Sequence, residues 1–140
     1  MEKMNRQSVL VIIAVAGVVA GATAFAQQPR PYNQIMKDVG ATFASLKKNL
    51  DANSATAAAQ DAAKLEGLFT ETEAFWAPFD TKDAISFAKR ARDAAAAVGA
   101  AAKGNDIKAA QESYSVIQKS CANCHFSHRE ETGKGFLIKP

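Results

Sequence analysis

Ile107-Lys108-Ala109-Ala110-Gln111-Glu112-Ser113-Tyr114-Ser115-Val116-Ile117-Gln118-Lys119-Ser120-Cys121-Ala122-Asn123-Cys124-His125 is the stretch on which the fold turns. Ile107, Ala110, Tyr114, Ile117 and Cys121 recur at steps of three and four, the period of a helix with one buried face. Asn105-Asp106, just upstream, supplies a cap for the first turn. Cys121, Cys124 and His125 extend the same spacing, and side chains three and four apart on a helix share a face. The stretch therefore predicts an amphipathic helix whose last turns present two thiols and an imidazole to one side.

Three more helices precede it. One is capped by Asp80 or Thr81, carries a seam of Ile85, Ala88, Ala91 or Arg92, Ala95, Val98 and Ala102, and ends at Gly104. Before that, Ala58, Ala62, Leu65, Leu68, Phe69, Thr72, Phe75 and Trp76 mark a second helix, opened by Asn53 or Ser54 and broken around Pro78. The first helix runs from about Pro31 to Leu50, with Tyr32, Ile35, Met36, Val39, Phe43, Leu46 and Leu50 on its stripe and Lys37, Asp38, Lys47 and Lys48 off it. No period-two alternation lasts beyond a few residues, so no strand is expected. Short connections favour antiparallel neighbours. The fold expected is all-α, an antiparallel up-down-up-down four-helix bundle. The core is rich in alanine and poor in large aliphatics, which fits either room for a bulky cofactor or a bundle of closely packed small residues.

Cys121-Ala122-Asn123-Cys124-His125 is a C-x-x-C-H motif, the attachment pattern of covalently bound haem. The spacing suits the chemistry. Two thiols reach the two vinyl groups on one porphyrin edge and form thioethers, and the next residue offers an imidazole nitrogen to the iron. One covalently attached haem c is therefore expected. Other uses of the residues fit less well. A thioredoxin-like pair needs a strand before it and a βαβ setting. A zinc site drawing on Cys121, Cys124, His125 and His128 lacks a separate second pair of ligands. A disulfide between Cys121 and Cys124 is sterically poor on a helix. The sequence of 140 residues holds 2 Cys and 2 His, and both cysteines and one histidine fall inside the motif.

The chain opens with Lys3 and Arg6, continues with an uncharged apolar run from Val9 to Ala24, and closes that run with Ala24-Phe25-Ala26. Basic segment, apolar segment and small-residue site are the order of a secretory signal peptide. The run is short for a membrane span and is diluted by Gly17, Gly21 and Thr23. Residues 1–26 are therefore expected to be a signal peptide cleaved after Ala26, with residues 27–140 the folded domain and the periplasm its destination. Haem is attached to such motifs outside the bacterial cytoplasm, which agrees. Removing the first 26 of 140 residues leaves 114, a single-domain length, and takes the formal charge from +3 to +2. No basic stripe interleaved with aromatics points to nucleic acid, and there is no glycine-rich phosphate loop or readable Ser/His/Asp set.

A four-helix pattern with C-x-x-C-H near the end of its last helix resembles the class II cytochromes c, the cytochrome c-prime family. The resemblance covers nearly all of residues 27–140 and is carried most strongly by Cys121, Cys124, His125 and Arg129. It implies a haem near the ends of helices one and four. It also implies that Arg129, four residues after the haem histidine, lies at a propionate or the haem edge; the plain alternative is a solvated cation at a helix C-terminus. Family members differ opposite the histidine: in some an apolar residue of helix one leaves the iron five-coordinate, and in a low-spin branch a helix-one methionine binds it. Met36 falls at that position, seven residues before Phe43. With helices one and four as antiparallel neighbours, and about 1.5 Å rise per residue, Met36 and His125 stand at nearly the same height. Met36 is otherwise one more seam residue. The family often carries an arginine four residues before this position; Tyr32 stands there, and Arg30 is the nearby substitute. His128, on a similar face of the helix to His125, is expected at the surface or the haem edge rather than as a second ligand.

Two functions follow from the resemblance. With His125 and Met36 as axial ligands the protein would carry single electrons between periplasmic or membrane-bound redox proteins. With Met36 merely covering the iron, it would bind nitric oxide or carbon monoxide. An enzyme would need acid–base groups near Met36, where Ile35, Val39 and Gly40 are apolar or small, so no enzymatic activity is expected. Relatives in the family often dimerise through their first two helices, which makes a homodimer an expectation too.

Overall fold

The structure is a computed structural model that describes residues 29–140; the expected signal peptide and its cleavage position after Ala26 lie outside the described residues. Four helices follow in order: α1 (Tyr32–Asp51), α2 (Ala55–Trp76), α3 (Lys82–Lys103) and α4 (Ile107–His128). Each turn between them contains one Asn or Asp with positive φ: Asn53 at 53°, Asp80 at 50° and Asn105 at 57°. These residue types enter the left-handed region more readily than other non-glycine residues, which lets the chain reverse within a few residues. Pro78 sits in a short 3-10 turn, Ala77–Phe79, that ends α2. Asp106 caps α4 as expected, its carboxylate accepting from the Ala109 N–H at 3.0 Å.

α1 packs on α2, α2 on α3 and α3 on α4, and with such short turns each pair is antiparallel. This is the expected up-down-up-down bundle. The expected seams are the buried faces: Ile35, Val39, Leu46 and Leu50 on α1, Leu65, Leu68, Phe69 and Trp76 on α2, Val98 on α3 and Ile117 on α4. Each such large apolar side chain, fully buried, contributes on the order of 1.5–3 kcal/mol. The alanines have a definite place. Ala58 and Ala62 of α2 and Ala91, Ala95 and Ala102 of α3 are buried. A Cβ at Gly99 would stand only 3.6 Å from the Ala62 Cβ. In this region small residues serve close helix approach rather than an internal space.

Three expectations need correction. Helices one and four are not close neighbours along their length: α1 and α4 meet at few places. One is the stack of Phe43 on Tyr114, with centroids 4.3 Å apart and rings 8° from parallel. The chain also does contain strands. After His128 it turns extended and forms an antiparallel hairpin, β1 (Arg129–Thr132) and β2 (Gly135–Ile138), with Arg129 opposite Ile138 and Glu131 opposite Phe136. The strands are too short for alternation to stand out, and their marker is the Gly133-Lys134 connection between them. At the turn, the Thr132 hydroxyl donates to the Gly135 carbonyl at 2.8 Å, and Gly135 takes φ 127°, a conformation that favours glycine. The third correction concerns His128, described below. None of the described helices is long and apolar enough to cross a membrane.

Candidate functional site

The motif occupies the last two turns of α4, as its spacing predicts. Cys121 and Cys124 are free thiols, both half-buried, and Cys121 packs against the hydrophobic core. Burial pushes both thiols up to about 11; for Cys124, charge on Cys121 and on Asp83 adds to the effect. A dithiol redox centre relies on the opposite shift, toward the thiolate. His125, also half-buried, is pushed down by burial first and by the Arg129 charge second. Both effects favour the neutral form of the ring, the form in which histidine ligates metals.

Across from this turn stands the first turn of α1. Tyr32 stacks on Phe75 at 4.0 Å, and its hydroxyl accepts a hydrogen bond from the Trp76 indole N–H at 3.0 Å. Burial pushes the Tyr32 phenol up to about 12, the Trp76 bond opposes this, and charge on Cys124 or Cys121 would raise it further. The hydroxyl is therefore within electrostatic reach of both sulfurs. Met36, one turn further along α1, is half-buried and packs against the same core as Cys121. The guanidinium of Arg30 is shared between Asp38, at 2.7 Å, and Glu71, at 2.8 Å.

On the outer side of α4, Ala122, His125 and Phe126 face Arg129, Glu131 and Phe136 of the hairpin across a groove. Arg129 opens β1 instead of closing a helix, and its guanidinium lies over the Phe136 ring, 4.3 Å from the centroid. It is close enough to depress the His125 imidazole, so it neighbours the motif histidine.

His128 is neither at the surface nor in the groove. It is only 9% exposed, with its ring 5.0 Å from that of Trp76. Nδ1 lies 2.7 Å from the Lys139 carbonyl oxygen and Nε2 lies 3.0 Å from Asp83 Oδ2. One partner lies 45 residues before it and the other 11 after, a pairing that no local sequence pattern signals. With both ring nitrogens engaged, His128 is not free to join a zinc site. Among the described residues, no three His, Cys, Asp or Glu side chains converge as ligands for a bare metal ion.

The donor set fits a covalently held porphyrin: two free thiols three residues apart on one helix face, an imidazole beside them, and a thioether on α1 packed on the same core as Cys121. No protein-family model matches the chain, and no curated protein matches it.

Proposed function

We propose that the protein is an exported c-type haem protein of the cytochrome c-prime type that carries single electrons, and not an enzyme. The observation that carries the reading is the end of α4, where two free, half-buried thiols and an imidazole stand together on one helix. In this reading Cys121 and Cys124 would hold the macrocycle through thioethers, and His125 and Met36 would ligate its iron. Haem supplies a one-electron couple at its iron when bound. The chain's own residues do the rest. Tyr32, fixed by Trp76, walls the side of the thiols; Phe43 and Tyr114 brace α1 against α4; Arg129 sets a positive charge beside His125. Its partners are periplasmic or membrane-bound redox proteins, and a homodimer through α1 and α2 belongs to the same reading.

The second reading is a five-coordinate site that takes nitric oxide or carbon monoxide. The sparse approach of α1 to α4 favours it, because the bundle's own packing does not press Met36 toward His125. An absorption spectrum of the purified protein decides between the two. With Met36 bound, the oxidised protein shows a weak far-red sulfur-to-iron band and the reduced protein takes up carbon monoxide slowly or not at all. Met36→Ala abolishes the band and opens the site. A wild-type protein that is already high-spin and binds carbon monoxide readily contradicts Met36 ligation and leaves the gas-binding reading.

A further inference from the structure

The hairpin has little to hold it. All its residues are exposed except Thr132, and Phe136 and Leu137 are 59% and 58% exposed. A two-stranded ribbon without a covered face is marginal in water. What fastens it is at its base. Lys139, directly after β2, is held twice by one residue: its N–H donates to the His128 carbonyl at 2.9 Å, and its carbonyl lies 2.7 Å from His128 Nδ1. The same ring reaches Asp83, in the first turn of α3, through Nε2 and packs on Trp76 at the end of α2. One buried imidazole thus ties the tail of the chain to three helices. Both atoms that its ring nitrogens face, the Lys139 carbonyl oxygen and Asp83 Oδ2, are acceptors, so whichever nitrogen carries the proton has a partner in place.

The pinned ribbon supplies Arg129, Glu131 and Phe136, which form the far wall of the groove whose near wall is Ala122, His125 and Phe126. Pairing of Arg129 with Ile138 and of Glu131 with Phe136 puts these side chains on one face of the hairpin, the face turned to α4. We propose that His128 is a positioning residue: by pinning Lys139 it holds the hairpin over the outer side of His125 and limits how much water reaches that imidazole. The pin stands on geometry alone; its consequence for His125 as a ligand rests on the haem reading. Water admitted to the ligand side favours the more highly charged oxidised iron and lowers the potential.

The test uses the full exported protein and two variants. His128→Ala removes the ring's hold on Lys139 and leaves the backbone bond, and Asp83→Ala removes one of the ring's exposed partners while leaving the buried ring in place. Amide exchange is read across residues 129–139, with α2 and α3 as internal reference, and the midpoint potential is measured on the same samples. His128→Ala is expected to speed exchange in the hairpin about 10- to 100-fold relative to α2 and α3, and Asp83→Ala a few-fold. The potential falls in the same order, and His128→Gln, which keeps one N–H for Lys139, recovers part of both effects. Unchanged hairpin exchange in both alanine variants overturns the pin. Faster exchange with an unchanged potential overturns the positioning role. If the wild type proves to carry no haem, the functional reading fails by itself, and hairpin exchange still decides the pin.

Discussion

The bundle has a tight pair and a loose pair. α2 and α3 bury Ala58, Ala62, Ala91, Ala95 and Gly99, and a Cβ at Gly99 would stand in van der Waals contact with Ala62 at 3.6 Å. α1 and α4 meet mainly through aromatic braces, Phe43 on Tyr114 and Tyr32 beside the cysteines. Small residues line one interface; large flat ones bridge the other. Every residue that the sequence nominated for ligand chemistry lies on α1, on α4 or directly after α4.

The largest expected effect comes from forcing the tight pair open. Ala62→Leu adds volume where Ala62 is fully buried against Gly99, and costs about 1–3 kcal/mol. Met36→Leu, a change of similar size class on the loose pair that nearly conserves volume, costs less than about 1.5 kcal/mol. Urea unfolding of the two variants measures the contrast, and equal losses would contradict it. Next is the brace itself. A double-mutant cycle on Phe43→Leu and Tyr114→Leu should return a coupling of about 0.5–1.5 kcal/mol for the stacked pair. A coupling near zero would mean that the loose pair is held by something else.

The smallest effect is acid release of the hairpin. Hydrogen bonding from His128 holds the exposed Asp83 carboxyl below its ordinary range. A carboxyl depressed on folding adds stability above its unfolded value, near 4, and that contribution is lost as pH falls through the folded value. Hairpin amide exchange should therefore accelerate below about pH 4 in the wild type, and Asp83→Asn should flatten this dependence. α2 and α3 are joined beside their alanine seam by a different ion pair, Glu73 to Arg92 at 2.8 Å.

Much of the fold was legible because it rests on period. Ile35, Val39, Leu46, Leu65, Val98 and Ile117 are buried at the positions their spacing assigns. Asp106 caps where a capping residue was expected. What escaped depends on contacts distant in sequence. His128 looked like a surface histidine because its partners, Asp83 and the Lys139 carbonyl, are set by tertiary packing. Tyr32 was read as a departure from a family pattern, yet it is the residue that Trp76 fixes beside the cysteines. Arg30 was nominated by proximity in sequence, but Asp38 and Glu71 claim it. The alanines were ambiguous as composition and became plain once Ala62 was seen facing Gly99. The candidate site itself was legible because C-x-x-C-H is a local pattern, and α4 keeps it on one helix. The hairpin left a signal in Gly133-Lys134 followed by Phe136-Leu137-Ile138, which reads as a two-residue connection before a strand.

The most direct test of the account is the mass of the denatured protein after export through a competent haem-maturation system. The account predicts the polypeptide plus one haem, retained after unfolding because Cys121 and Cys124 each carry a thioether. Cys121→Ala or Cys124→Ala should leave at most one such bond, and the double variant none. A wild-type mass equal to the bare polypeptide would contradict the central claim.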